Sequence, residues 1–168
     1  SGITHGSPDC TVSSEDEGFG TACEFDSADG FSISSGFPTI SRTFEAWFTQ
    51  DVFDSSAREA IVGHDASQYK GGHLAIDSDG DLGLSIRDGT NTEYSAAEST
   101  WNADQWYHLA GLIDEDNHWI ANYFGGVLDD NNTAWDGTWQ DPLSDSGSIG
   151  YRSSNDDYYW DGKIDEVK

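Results

Sequence analysis

Positive charge is what this sequence has least of: three lysines, Lys70, Lys163 and Lys168, and 7 basic residues in all against 32 acidic ones. The net charge of −25 argues against a nucleic acid or an anionic membrane surface as partner, since both attract bases and repel carboxylates. Methionine is absent, even at position 1. An apolar signal-peptide core and any apolar run of transmembrane length are also missing, so no membrane insertion is expected, and the chain reads as part of a larger, processed protein. Cysteine is limited to Cys10 and Cys23, near no histidine that would suggest a zinc site. His5, His64, His73, His108 and His118 lack zinc-ligand spacing, and no Gly-x-Ser-x-Gly nucleophile elbow occurs. No helical period is found either.

Aspartate is what the chain has in excess, supplying 23 of the acidic residues. Dense carboxylates with few lysines resemble the composition of proteins from extreme halophiles. At molar salt the Debye length falls to about 3 Å, which screens most of the self-repulsion. The alternative is an ordinary acidic, calcium-rich secreted domain, although calcium sites alone would not remove lysine.

The chain length of 168 residues suits one domain with a sizeable core. Residues 1–20 are rich in Ser, Gly, Thr and acids and read as an arm or linker, with the domain proper at 21–168. A Cys10–Cys23 disulfide would close a short loop there, contribute about 3 kcal/mol in the loop-entropy model and imply an oxidising location. Two unpaired thiols are the alternative.

Beyond the arm, short strands alternate with turn signals. Ala22 to Ser34 reads as strand, Ala28-Asp29-Gly30 turn, and strand. Thr43 to Thr49 alternates, with Phe44, Ala46 and Phe48 on one face. Glu59 to Gly63 is a short apolar strand, His73–Ile76 and Leu82–Ile86 form a hairpin, and Thr92 to Ala96 is another strand. From Trp101 to Leu128 two aromatic and β-branched runs flank the polar Asp114-Glu115-Asp116-Asn117 loop, the second ending at Gly125-Gly126. A Gly-Gly pair supplies the positive φ of a tight hairpin turn, so this meander is expected to be central in a sheet. Asp129 to Ser146 reads as polar and irregular, and Ser148–Tyr151 and Lys163–Val167 as closing strands. Such a pattern means an all-β sandwich or jelly roll.

Five motifs occur in a specific order. They are Phe25-Asp26-Ser27-Ala28-Asp29-Gly30-Phe31, Thr43-Phe44-Glu45-Ala46-Trp47-Phe48, Asp104-Gln105-Trp106-Tyr107-His108-Leu109-Ala110, Ile149-Gly150-Tyr151-Arg152-Ser153 and Trp160-Asp161-Gly162-Lys163-Ile164-Asp165-Glu166-Val167. Together they resemble the laminin-G-like domains of the concanavalin A-like lectin/glucanase superfamily. Gly125-Gly126 replaces that family's usual Asn-Gly turn, and the chain stops at Lys168, a few residues before the last strand usually ends. The resemblance implies a jelly-roll β-sandwich of two curved antiparallel sheets, with the N- and C-terminal strands adjacent. It also implies a structural Ca²⁺ where the opening loop meets the final strand. Asp165 would be its carboxylate ligand, with oxygens near Asp26, Asp29 and Gly30. Asp and turn carbonyls suit the oxygen-rich shell that Ca²⁺ takes; the alternative is that Asp165 only hydrogen-bonds a turn.

Other motifs say less. Asp77-Ser78-Asp79-Gly80-Asp81 is like an EF-hand fragment but has Leu82 and Asp88 at positions that need Gly and Glu, so it reads as a turn. Sandwich glycosidases of this superfamily carry Glu-x-Asp-x-Glu. Here only Glu24-Phe25-Asp26-Ser27-Ala28 approaches it, with Ala28 in place of the last Glu and in the wrong strand, so an enzyme is not expected. Trp47, Trp106, Trp119 and Trp160 lie in strand motifs and are expected to pack. Trp135 and Trp139 lie in a polar stretch, and Tyr158-Tyr159 follow another. These four are the candidate sugar-stacking residues, unless their rings fold back over a sheet edge. Asn131-Asn132-Thr133 is an N-glycosylation sequon, expected in a loop.

The function expected from these features is a non-catalytic, secreted or cell-surface recognition module binding a glycan or a cell-surface glycoprotein. Its rivals are a protein–protein interaction or spacer module and, last, a polysaccharide-cleaving enzyme; fold alone does not choose among them.

Overall fold

A computed structural model describes residues 6–13, 21–26, 28–33, 41–51, 58–67, 70–76, 80–88, 93–133, 147–152 and 157–168. The strands among them are β1 (Asp9–Ser13), β2 (Thr21–Phe25), β3 (Phe31–Ile33), β4 (Arg42–Gln50), β5 (Glu59–Ser67), β6 (Lys70–Ile76) and β7 (Leu82–Asp88). They continue with β8 (Glu93–Ser99), β9 (Tyr107–Asp114), β10 (Trp119–Phe124), β11 (Val127–Asn132), β12 (Gly147–Ile149) and β13 (Gly162–Asp165). A seven-stranded sheet in the order β1-β2-β13-β4-β9-β10-β11 packs on a six-stranded one, β3-β12-β5-β6-β7-β8. Every ladder between these strands is antiparallel.

Period-two alternation makes the core. Phe44, Ala46 and Phe48 of β4 are buried, while Glu45 and Trp47 between them are only half-buried. Leu109 and Ile113 of β9 and Ile120 of β10 join them, and the facing sheet contributes Ile61, Leu74, Leu84 and Ile86 to the same cluster. At Gly111 the two sheets approach so closely that a Cβ would lie 2.7 Å from Leu74 Cδ2 and 2.9 Å from Leu84 Cβ. Trp160 is wholly buried; its Nε1 donates to the Thr49 carbonyl at 3.2 Å and its ring meets Phe48 edge-on.

The final strand β13 lies between β2 and β4, so the N- and C-terminal strands are neighbours as the resemblance implies. Cys10 and Cys23 form the disulfide, joining β1 to β2 one residue along from the Asp9–Glu24 pair. Part of the expected arm is therefore an edge strand of the sandwich. Three other expectations need correction. The aromatic meander is not central: β9 is interior, but β10 is next to the edge and β11 is the edge. Residues 127–132, expected to turn into an irregular stretch at Asp129, form β11, because the Gly125-Gly126 turn (φ 57° and 81°) registers Phe124 on Val127 and carries the chain back along β10. Glu59 starts a strand that runs on to Ser67, longer than its apolar part.

Two cross-strand rows mark the ends of the seven-stranded sheet. Arg42, Ile113, Ile120 and Asn132 form one cross-strand row near one end of the seven-stranded sheet. Gln50, Gly162 and Phe25 form a row at the other.

Candidate functional site

At the Arg42 end a cleft of about 570 Å³ opens between the start of β4 and the turn joining β9 to β10. Leu112 and Ile113 supply apolar lining, while Ser41, Arg42, Thr43, Asp114, Asp116 and Asn117 bring hydroxyls, a guanidinium, carboxylates and an amide. Its volume lies within the range of small-ligand sites, about 300–1,000 Å³.

The turn is built by its own side chains. Asp114 accepts hydrogen bonds from the Asn117 backbone (3.1 Å) and from Asn117 Nδ2 (2.8 Å). Those bonds, with a further one from the Asp116 amide, hold the Asp114 carboxyl below the usual carboxylate range. Ser41 Oγ accepts from the Glu115 backbone at 3.0 Å, tying the turn to the approach to β4. His118 closes it in the left-handed region at φ 53°.

Arg42 is the anchor of this end. It begins β4 in the inward register, is 5% exposed, and its Nη1 lies 2.7 Å from His64 Nδ1 on the facing sheet. Arginine only donates, so His64 Nδ1 accepts, which makes the ring neutral with its proton on Nε2. A buried arginine fixed by a histidine presents a rigid cationic donor beside hydroxyls and carboxylate acceptors, a set suited to ring hydroxyls.

Of the four expected sugar-stacking residues, Tyr158 and Tyr159 are among the described ones. Trp135 and Trp139 lie outside the described residues. The stretch that contains them leaves after Asn132, in the Arg42 row, and ends at Gly147, next to the Ser148–Gly63 pair and so close along the ladder to His64. Tyr158 and Tyr159 lie at the opposite end, where the Tyr158 carbonyl accepts from Ala60 N at 2.8 Å. Their rings serve internal packing. Arg152 Cζ stands 3.8 Å from the Tyr158 ring centroid, with Arg152 itself held by two hydrogen bonds to Asp157, and Tyr159 stacks on Tyr151 at 5.8 Å.

The expected calcium ligands are likewise divided. Asp165 pairs with Trp47 midway along β4, and Ile164 pairs with Cys23, which sets Asp165 opposite Ala22. Asp26 follows Phe25, the partner of Gly162, and so stands four residues further along the ladder, about 13 Å at the usual rise per residue. Calcium–oxygen distances are about 2.3–2.6 Å, so Asp165 and Asp26 do not share an ion. Asp165 Oδ2 is buried without a hydrogen-bond partner, which suits a cation, but Asp165 Oδ1 already accepts from Glu166 N. Asp26 and Asp29 bond each other, Asp29 N to the Asp26 carbonyl at 2.8 Å, and Gly30 sits under the Tyr151 ring. Among the described residues no three His, Cys, Asp or Glu side chains are grouped to hold a metal. Asp165, Asp26, Asp29 and Gly30 do not fit as one Ca²⁺ site.

Asp26 instead keeps company with Asp51 and Asp161. Burial, then the charges of Asp51 and Asp26, push the Asp161 carboxyl up. Asn131 is exposed and lies on edge strand β11 rather than in a loop. Among the described residues of the Asp77–Asp81 turn, Gly80 has φ 88°; residues 77–79 lie outside them.

Arg42, Asp114, Asp116 and Asn117 were not singled out from the sequence. The signal for Arg42 was its position two residues before Phe44, in phase with the buried face; that for the turn was Asp114 three residues before Asn117.

Among the described residues, thirteen antiparallel strands in two packed sheets make an all-β jelly-roll sandwich, with a polar cleft at one end. The chain belongs to the concanavalin A-like lectin/glucanases superfamily, whose laminin-G-type family model matches residues 22–168. Among solved structures it is similar to the carbohydrate-binding module CBM40 of the Ruminococcus gnavus IT-sialidase, bound to alpha2,3 sialyllactose (14% identity, 88% of each chain covered, TM-score 0.70). It is also similar to domain 4 of AbnA, a GH43 extracellular arabinanase from Geobacillus stearothermophilus, in complex with arabinotriose (19% identity, 90% of this chain and 71% of that, TM-score 0.69). Against a mutant of the NanB sialidase of Streptococcus pneumoniae the identity is 21% and the TM-score 0.70; the match covers 87% of this chain but only 25% of the sialidase. No curated protein matches the chain.

Proposed function

We propose that the chain is a non-catalytic glycan-binding module that takes a saccharide in the cleft at the Arg42 end. The observation that carries this is the cleft itself: apolar lining from Leu112 and Ile113, rimmed by Ser41, Thr43, Asp114, Asp116 and Asn117 beside the fixed guanidinium of Arg42. Sugars present both C–H faces and hydroxyls, and such a surface meets both. Trp135 and Trp139, whose stretch begins and ends near this end, supply the stacking rings in this proposal. The two similar structures that hold oligosaccharides support it as analogy. The module acts outside the cell or on its surface, as part of a larger protein, on a glycan or a cell-surface glycoprotein; the Cys10–Cys23 disulfide agrees with that location. The charge of −25 is taken as an adaptation to molar salt, on composition alone. No role is assigned to calcium.

A glycan array at high salt tests the proposal. Hits are expected, and Asn117→Ala with Asp116→Ala should weaken them at least about tenfold, the size of one lost good polar contact. Trp135→Ala or Trp139→Ala should act in the same direction. An array without hits, from a protein with an unchanged melting temperature, would favour a protein-binding or spacer module.

A further inference from the structure

We infer that Asn131 is a site of N-linked glycosylation, accepting an oligosaccharide from a lipid-pyrophosphate donor. Asn131-Asn132-Thr133 is the one Asn-x-Ser/Thr sequence in the chain. Two independent features of the fold make it usable. The first is geometry. Among the described residues β11 ends its sheet, paired with β10, and Asn131 pairs with Ala121 while Asn132 pairs with Ile120 of the core. Side chains alternate along a strand, so Asn131 projects away from the core side that Asn132 takes, and Thr133 follows directly after the strand's last residue. Both Asn131 and Thr133 are exposed and Asn132 is half-buried. The acceptor amide and the hydroxyl that defines the sequon are thus both exposed at the end of this strand.

The second feature is the Cys10–Cys23 disulfide, which belongs to an oxidising compartment, the route on which asparagine is glycosylated. In the transfer, Asn131 Nδ2 forms a bond to the anomeric carbon of the first sugar. The bond from that carbon to the pyrophosphate oxygen breaks, the amide loses one proton, and the lipid pyrophosphate leaves. The host's oligosaccharyltransferase supplies donor and catalyst.

The glycan has a physical use at this position. β11 is an edge strand, and Val127 and Leu128 at its start are 70% and 45% exposed. An edge strand with exposed apolar residues invites pairing with another chain, and a bulky hydrophilic substituent hinders it.

Intact-mass spectrometry of the chain secreted from a glycosylating host, beside a control protein with a known sequon, decides the matter. The expected result is a mass above that of the polypeptide by a whole number of sugar units. Asn131→Gln and Thr133→Ala should each remove it, and Asn132→Gln should keep it. Because the readout is mass, a variant that folds poorly still reports. An unmodified chain beside a modified control, or an increment that survives Asn131→Gln, overturns the inference.

Discussion

Asp161 carries a cost that the fold imposes. Its backbone is committed on both sides, the amide donating to Glu59 Oε2 at 3.2 Å and the carbonyl accepting from Asp51 N at 3.1 Å. The carboxyl is therefore held near Asp51 and Asp26 and is pushed up by burial and their charges. A carboxyl whose folded value exceeds its unfolded one contributes stability below the unfolded value, and loses it as pH rises through the folded one. Asp161→Asn should raise the melting temperature at neutral pH by about 1–2 °C, a surface-sized effect. Acidification through the carboxylate range should erase the gain. A fall on substitution would show that the Asp161 carboxylate stabilises the fold despite its neighbours' charges. Glu45 has the opposite sign. His108 Nε2 at 3.2 Å and Lys168 Nζ at 3.3 Å lower its value, His108 first, so its contribution is present above the ordinary carboxylate range and lost as pH falls through the lowered one. None of this was legible in the sequence, because Asp26, Asp51 and Asp161 meet only once β2, β13 and β4 are laid side by side.

Single elements were far easier to read than their neighbours. The strict alternation of Phe44, Ala46 and Phe48 fixes both the strand and its buried face, and Gly125-Gly126 fixes a turn. β11 escaped because Val-Leu-Asp-Asp-Asn-Asn has no alternation; its ladder is held by backbone, and its side chains are mostly exposed. β1 escaped for a similar reason, an edge strand of polar residues. β2 and β3 read as strands, but no local pattern states that they join different sheets. Register has the same character. The cleft depends on a row, Arg42–Ile113–Ile120–Asn132, whose members are far apart in sequence, and the register that sets Asp165 apart from Asp26 is equally hidden, because nearness of two strands does not say which residues face each other. Gly111 gives the element-scale prediction. With Leu74 and Leu84 already in contact range, Gly111→Ala overpacks the space between the sheets and should cost about 1–3 kcal/mol. Urea unfolding checks it: the midpoint should fall at unchanged slope. An unshifted midpoint would mean that the sheets separate there without penalty.

For the whole molecule, charge is the largest unknown that one measurement settles. Carboxylates outnumber cations so heavily that the folded chain repels itself at low ionic strength. Raising salt from about 0.1 M to about 1 M shortens the Debye length from about 10 Å to about 3 Å, and the melting temperature should climb steadily over that range. A monovalent chloride should suffice if screening is the cause. A melt that ignores chloride would remove the high-salt proposal while leaving the glycan site untouched.

The wedging of β13 between β2 and β4 also governs when this sandwich is able to assemble. On the ribosome, residues 21–25 and 42–50 emerge early, yet the segment that joins them, 162–165, is made more than a hundred positions later. Until then the nascent sheet is open down its middle, exposing Phe25 and Phe48 to water or to a chaperone. Zipping across such separations is slow, so closure of this sheet waits on the synthesis of residues 162–165.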